Sequence, residues 1–329
     1  MNPWAPASTL AASFALSPAP SFLLSLAAIY AIATLAAVSL QSRARAVSYP
    51  APVAVLFCPL LIPPDEAVLR AAASILSINA MFRLVELLRM PRALSPQARL
   101  SFLIPLPIFV ALMDQRRRMR RRGCAFGKEG LRLLGGGVAF LGLWLILNAL
   151  AQSNFLRSNH LADHTLKLAL FVAAVELGAQ ALCGLERIVG YRTRPMVRNA
   201  WLSSTPAEFW RRWNDRVHAW LVRHVFRSCG GRARPARAIC CVCLFSGAFH
   251  ELMFGIATSR FDGYQFAFFA VQAPAIMASG RMKVFARRGG AAGAVWLATF
   301  LWLWATSFLF FHGINRVAPM YYASEPWLP

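Results

Sequence analysis

Residues 238–258 read AICCVCLFSGAFHELMFGIAT, an apolar run that contains one histidine and one carboxylate, His250 and Glu251. About 20 apolar residues in helical form are enough to cross the ~30 Å hydrocarbon core of a bilayer. An ionisable side chain inside such a helix is costly, so it usually faces a cavity or a polar partner. The run therefore predicts a transmembrane helix that carries a polar site.

The rest of the chain has the composition of a membrane protein. Of its 329 residues, 58% are apolar and only 15% are charged, whereas about 25% are charged in a typical soluble domain. Lys and Arg number 35 against 13 Asp and Glu, which gives a net charge of +22. These values exclude a soluble enzyme, a disulfide scaffold and a disordered chain. A nucleic-acid binder is also excluded, because its cations would cover a polar surface rather than separate long apolar runs.

Apolar runs indicate an all-α integral membrane fold with about eight transmembrane helices in one domain, residues 1–329. The second and third runs are short and predict a helical hairpin that turns at residues 63–66, which include Pro63 and Pro64. A further run, 102–113, is too short to span, and we expect it to be re-entrant or interfacial. The eight runs are 21–40, 51–64, 67–82, 131–151, 161–185, 238–258, 264–280 and 291–312.

The distribution of basic residues predicts the orientation. Almost all Lys and Arg residues fall on one side if four connections are cytoplasmic, as the positive-inside rule requires. Six arginines within residues 116–122 then anchor a loop to anionic headgroups, or receive an anionic cosubstrate. The Ala- and Arg-rich composition favours a bacterial inner membrane, and the endoplasmic reticulum is the alternative in a eukaryote. The four connections are 41–50, 83–130, 186–237 and 281–290.

The cysteines predict neither a disulfide framework nor a metal site. Their number, seven, is odd, and Cys240, Cys241 and Cys243 begin an apolar run, where cysteine behaves as a small hydrophobic residue. A zinc site would need a second Cys or His pair in a polar loop, and the sequence has none there.

The longest polar connection contains an amphipathic helix. Thr205 can cap its N-terminus, Pro206 suits the first turn, and Glu208 can complete a capping box. We expect one helix to about Phe226, lying at the membrane surface with its tryptophans at headgroup depth. Its broad apolar face holds Trp210, Trp213, Asn214, Val217, Trp220, Leu221 and His224.

His250 is a candidate general base, because a neutral imidazole can take a proton from an alcohol. At 1.5 Å per residue it lies near or past the bilayer midplane, so a substrate would need a tunnel to reach it. Ser246 and Gly247, one turn earlier, are small enough to leave room for a ligand. Glu251 points about 100° away, and we expect it to bond to another helix. The structural alternative is that His250 itself only joins two helices.

Other polar residues inside the apolar runs receive no role beyond lining a cavity or joining helices. We interpret the histidines near the outer interface as structural. The polar residues inside the apolar runs are Asn79, Asn148, Lys167, Glu176 and Gln272. The histidines near the outer interface are His160, His164 and His312.

Two segments, in this order, carry a family resemblance. Residues 209–220, FWRRWNDRVHAW, continued by RHVF at 223–226, resemble the amphipathic-helix motif of the membrane-bound O-acyltransferase superfamily. Residues 246–253, SGAFHELM, are similar to the block that holds its catalytic histidine. The FWRRW form is similar to the wax synthase branch, although Arg211 stands where that branch commonly has glycine. The resemblance is specific over about residues 199–257.

The resemblance implies transfer of an acyl group from an acyl-CoA cosubstrate to a hydroxyl, without a metal, a permanently bound cofactor or a covalent acyl-enzyme. His250 would act as the base, and Asn214 would donate a hydrogen bond to the thioester carbonyl. The candidate phosphate-binding residues are Arg212, Arg216 and Arg223. The candidate tunnel residues are Trp210, Trp213, Ser246, Gly247 and Glu251.

The leading hypothesis is a wax synthase-like enzyme that esterifies a lipid or a long-chain alcohol within the bilayer. One alternative keeps the fold but uses a short acyl donor and another hydroxylated acceptor. Another is a transporter in which buried ionisable residues form a relay. The relay residues would be His250, Glu251, Glu176 and Lys167. The sequence leaves the oligomeric state open.

Overall fold

The computed structural model describes most of the chain between residues 18 and 318. The predicted re-entrant run 102–113 falls largely outside this part, and so do the arginines of residues 116–122. The described segments are 18–40, 45–90, 94–104, residue 112, 126–151, 153–287 and 291–318.

Every regular element in these segments is helical, which confirms the predicted fold class. Six of the helices are long and apolar enough to cross a membrane. They are α1 (Pro18–Ser39), α3 (Ala67–Arg89), α5 (Phe126–Ala151), α7 (His160–Ile188), α10 (Pro235–Thr258) and α12 (Ala292–Val317). The others are α2 (Ala51–Phe57), α4 (Pro96–Leu103), α6 (Asn154–Ser158), α8 (Pro206–Trp213), α9 (Asp215–Leu221) and α11 (Tyr264–Ala286).

Two of the eight apolar runs form helices of a different kind. The run 51–64 gives only the short α2 and a 3₁₀ turn, Cys58–Leu61. The run 264–280 gives α11, which has 23 residues but is not among the six, because no membrane-length stretch of it is apolar enough; it includes Gln265, Gln272 and Pro274. The predicted hairpin is present, since the Glu66 N–H bonds the Pro63 carbonyl at 3.1 Å just before α3 begins.

The described residues form two compact units. The first contains the described residues up to Ile104, together with Met253–Arg260. Buried arginines join its elements by donating to main-chain carbonyls: Arg70 to Ile62 at 2.7 Å and Arg83 to Phe102 at 2.5 Å. Such bonds satisfy the end carbonyls of helices inside an apolar environment.

The second unit contains the described residues of 105–252 and 261–329, including both resemblance motifs. In it α5 packs closely on α7, where a Cβ at Gly136 would lie 3.1 Å from the Leu177 carbonyl oxygen. A Cβ at Gly184 would lie 3.0 Å from the Glu129 carbonyl oxygen. Small residues at these points let the two backbones approach, as is usual between membrane helices.

Candidate active site

The amphipathic segment begins with the predicted cap. The Thr205 hydroxyl accepts the Glu208 N–H at 3.4 Å, and Pro206 is the first residue of α8. The capping box differs in one respect: the Glu208 carboxylate accepts from the N–H and hydroxyl of Ser204, at 3.1 and 2.8 Å. The bonds from Ser204, together with the Arg212 guanidinium, outweigh burial and hold the pKa of Glu208 below its ordinary value.

The single helix predicted for residues 205–226 is wrong, because the chain breaks at Asn214. Its backbone is extended (φ −154°, ψ 88°), and its Oδ1 accepts the Val217 N–H at 3.1 Å as the N-cap of α9. Asparagine is a preferred N-cap, since its side chain satisfies an amide that the helix leaves unpaired. A π turn, Val222–Phe226, follows α9. The seven residues of the predicted apolar face therefore do not share one helix.

Arg216, one of the predicted phosphate-binding residues, is paired with a buried carboxylate instead. It forms a bidentate ion pair with Glu186, at 2.6 and 2.7 Å, and the two side chains are 4% and 0% exposed. The prediction that Arg216 contacts a phosphate does not fit this burial. Arg212 pairs with Glu208 at 2.7 Å and is partly exposed. Arg223 lies half-buried in the π turn.

Two other ionisable groups of α9 have shifted pKa values. Burial lowers the pKa of His218, and the nearby Arg211 guanidinium lowers it further. Burial raises the pKa of Asp215, against the opposing effect of Arg198, which lies 3.3 Å away. The His218 imidazole is therefore neutral at pH 7.

His250 lies on α10 with its two ring nitrogens in different surroundings. Nδ1 is 2.8 Å from the Ser246 carbonyl oxygen, which can only accept. In the neutral ring Nδ1 therefore carries the proton, and Nε2 keeps its lone pair. Nε2 has no hydrogen-bond partner among the described residues, and the side chain is only half-buried. This arrangement suits a proton acceptor.

Aromatic rings surround His250. Its ring centroid lies 4.2 Å from that of Phe269 and 5.9 Å from that of Phe310. Trp210 of α8 contacts the same Phe269 ring at 5.4 Å and Phe268 at 5.9 Å. We call Trp210, His250, Phe268, Phe269 and Phe310 the aromatic cluster. It joins the amphipathic motif to the histidine block, although no hydrogen bond joins Asn214 to His250 in the described chain.

Two predicted tunnel residues, Gly247 and Glu251, instead hold α10 against α11. A Cβ at Gly247 would lie 2.9 Å from the Phe266 carbonyl oxygen, so this glycine permits a close helix contact rather than space for a ligand. The Glu251 carboxylate accepts four backbone N–H groups, those of Asp262, Gly263, Gln265 and Phe266. It thereby caps the start of α11, in agreement with the expected bond to another helix.

The remaining tunnel residues divide between the two motifs. Trp213 stacks on Phe209, with ring centroids 5.4 Å apart, and also contacts Phe171. Ser246 contributes its carbonyl to His250, and its half-buried hydroxyl has no partner among the described residues. A role for these two residues in lining a tunnel stays a prediction.

Several polar residues of the predicted spans have partners that the sequence pattern did not indicate. Lys167 pairs with Asp163 one turn earlier at 2.5 Å, and both are buried. His164 bonds the Ser307 hydroxyl at 2.9 Å, in agreement with the structural interpretation. Glu176 accepts the Asn199 N–H. The proposed relay residues are thus engaged in separate contacts.

Four arginines lie between the end of the π turn and the first turn of α10, and the sequence pattern predicts no role for them. The side chains of Arg227, Arg232, Arg234 and Arg237 are exposed, and none has an acidic partner in the described part of the chain. In the sequence, the one feature that marks these arginines is that four of them fall within eleven residues, 227–237. Arginine binds phosphate well through its planar, multidentate guanidinium group.

Comparisons with known proteins find one matching family and several similar enzymes. Residues 156–312 match the sequence model of MBOAT, the membrane-bound O-acyltransferase family. The chain is 32% identical over 94 residues to Diacylglycerol O-acyltransferase 1C of Glycine max, covering 28% of this chain and 18% of that protein. It is 28% identical over 144 residues to Diacylglycerol O-acyltransferase 1 of Bos taurus, covering 42% of this chain and 28% of that protein. These alignments therefore span less than a third of either relative.

Proposed function

The chain belongs to the membrane-bound O-acyltransferase superfamily, and on this premise we propose that it transfers an acyl group from acyl-CoA to the hydroxyl of a lipid. The observation that carries the proposal is the geometry of His250. Its Nδ1 proton is held by the Ser246 carbonyl, and its Nε2 is left as an unpaired acceptor in a half-buried position. A general base needs this combination of fixed tautomer and free lone pair.

In the proposed reaction His250 acts first as a base and then as an acid. Nε2 of His250 takes the proton of the acceptor hydroxyl as its oxygen bonds to the thioester carbon. The tetrahedral intermediate then breaks its C–S bond, the CoA sulfur leaves, and the imidazolium returns the proton to that sulfur. The products are an ester and free CoA, and the histidine is again neutral.

Asn214 is the proposed donor to the thioester carbonyl. Its Oδ1 is used by the Val217 N–H, so the side-chain orientation is fixed. Its Nδ2 group has no partner in the described chain and keeps two protons to donate. A donor held in place by a cap costs little reorganisation when charge develops on the substrate oxygen.

The phosphates of CoA are proposed to bind at arginines of the amphipathic segment and of the segment that follows it. Arg223 stays a candidate from the sequence. Arg212 is also a candidate, and its guanidinium group pairs at the same time with the Glu208 carboxylate. The four arginines between the π turn and the first turn of α10 offer stronger phosphate recognition, because no acidic side chain among the described residues pairs with them. These arginines are Arg227, Arg232, Arg234 and Arg237.

The acceptor is proposed to be an apolar alcohol that enters from the bilayer. The names of the two relatives favour diacylglycerol, and the FWRRW motif favours a long-chain alcohol, as in wax synthases. The aromatic cluster around His250 suits either, since both bring a hydroxyl on a hydrocarbon body.

The test is an acyl-transfer assay on membranes that contain the wild type, His250→Ala or His164→Gln. Acyl-CoAs from acetyl to stearoyl are offered with fatty alcohols, diacylglycerol and sterol, and the esters are identified by mass spectrometry. We expect His250→Ala to lower turnover by about 10²–10⁴-fold. His164→Gln, which changes a structural histidine, should keep its turnover per folded molecule. A His250→Ala variant with wild-type turnover would refute the base assignment.

A further inference from the structure

The indole N–H of Trp210 is a buried donor without a partner. Of the tryptophans in the described residues, only Trp210 has a buried Nε1 that makes no hydrogen bond. By contrast, Nε1 of Trp296 donates to the Trp201 carbonyl at 2.9 Å, and Nε1 of Trp304 donates to the Thr165 hydroxyl at 3.0 Å. Buried donors are nearly always paired, so this exception calls for an explanation.

The position of Trp210 is unusual for an amphipathic surface helix. A tryptophan there normally directs its N–H to headgroups or water. The Trp210 ring instead packs on Phe268 and Phe269, and Phe269 also contacts His250. The donor is thus held within the aromatic cluster that surrounds the proposed base. A phenylalanine would pack on the same rings without leaving a buried donor unpaired.

We propose that the Trp210 indole N–H donates a hydrogen bond to the carbonyl oxygen of the bound acyl thioester, as a second donor beside Asn214. This inference rests on the proposed acyl transfer. The oxygen becomes negative while the acceptor oxygen bonds to the carbonyl carbon, and it is neutral again once the C–S bond has broken. The indole keeps its proton throughout. Because the N–H has no hydrogen-bond partner in the described chain, it can donate to the substrate without giving up a bond to the protein, and the new bond strengthens as charge develops.

The proposal makes Trp210 a catalytic residue that contacts the substrate, which a packing role would not require. Trp210→Phe removes the N–H and keeps an aromatic ring. Replacement of Trp210 by benzothienylalanine, introduced by amber suppression, also removes the N–H but preserves the bicyclic shape, in case Phe loosens the cluster. Trp296→Phe is the matched control, since it loses a paired indole N–H and its ring stacks on Phe300 outside the cluster.

The first measurement is steady-state kinetics with the best acyl-CoA. Both Trp210 replacements should lower kcat by about 10²-fold, the effect of removing one oxyanion donor. KM should change little, and Trp296→Phe should match the wild type. An unchanged kcat in the benzothienylalanine variant would overturn the proposal. If the wild type itself forms esters through His250, that result leaves the proposed function intact.

The second measurement is binding of two unreactive acyl-CoA analogues, which needs no turnover. A ketone analogue, with a methylene in place of sulfur, keeps the carbonyl, and an S-alkyl-CoA thioether lacks it. Both Trp210 replacements should weaken the ketone by about tenfold, as expected for one hydrogen bond, and leave the thioether unchanged. Equal weakening of both analogues would show a packing role and overturn the proposal. If neither analogue binds the wild type, acyl-CoA is not a ligand, and the proposed function fails with it.

Discussion

Glu251→Gln tests whether the carboxylate beside the proposed base is structural. Oε1 accepts the Asp262 and Gly263 N–H groups at 3.0 and 2.8 Å, and Oε2 accepts those of Gln265 and Phe266 at 3.1 and 3.2 Å. Glutamine retains one acceptor oxygen, and its NH₂ group would face two N–H donors. Two charge-assisted bonds are lost, each with a net value of about 1.5–3 kcal/mol. We therefore expect Glu251→Gln to lower the free energy of unfolding by about 3–6 kcal/mol.

The assay is thermal unfolding of the detergent-solubilised protein, followed by tryptophan fluorescence, together with turnover per folded molecule. At about 2 °C per kcal/mol for a chain of this size, the midpoint should fall by about 6–12 °C. Glu176→Gln is the matched control, because the N–H of Asn199 is the one donor to that carboxylate among the described residues. Its midpoint should fall by a smaller amount, and both variants should retain His250-dependent turnover at low temperature.

Two results would contradict this reasoning. An unchanged midpoint with abolished turnover would mean that Glu251 takes part in the chemistry, for example by sharing a proton with His250. Equal losses of stability in Glu251→Gln and Glu176→Gln would mean that the number of amide donors does not set the cost.

Gly247→Ala should destabilise the fold by about 1–3 kcal/mol, because its methyl group would lie 2.9 Å from a backbone oxygen of α11. Gly280→Ala, in open space, should be neutral or slightly stabilising in the same unfolding assay. Arg216→Ala should cost about 3–5 kcal/mol by leaving Glu186 buried and unpaired, and the double variant Arg216→Met, Glu186→Leu should recover the yield of folded protein. A double variant as poor as the single one would contradict the ion-pair argument. The pKa of Glu208 is lowered in the folded chain, so its contribution to stability is complete at neutral pH and is lost as the pH falls through that lowered value. Glu208→Gln should therefore show a weaker loss of midpoint on acidification, and an equal acid slope in both proteins would refute this.

The fold class could be predicted from sequence because hydropathy sets it. Runs of apolar residues long enough to span must form helices in lipid, where every backbone polar group needs an internal partner. The hairpin at residues 63–66 and the cap at Thr205 were also accessible, since proline and threonine act through local geometry. The run 264–280 was harder, because its helix carries glutamines whose tertiary partners the sequence does not indicate, such as Trp302 for Gln272.

The candidate site was predictable in its residues but less so in its contacts. His250 is conspicuous as a histidine within an apolar run, and the structure adds the bond that fixes its tautomer. The break at Asn214 was missed because 3.6-residue periodicity continues through a single capping residue. The burial of Arg216 was missed because its partner, Glu186, is 30 residues away. Such pairing depends on the fold and leaves no periodic signal.

The bonds of Glu251 also bear on how the chain enters the membrane during synthesis. An unpaired acidic side chain at the centre of a helix costs about 2.5–3.5 kcal/mol on insertion scales. The partners of Glu251 follow within 11 to 15 residues, at the start of α11. α10 is long and apolar enough to span despite Glu251, whereas α11 falls short of that level and is the weaker insertion signal. We therefore expect α10 and α11 to leave the translocon together, as one helical hairpin that has already paired its own charge.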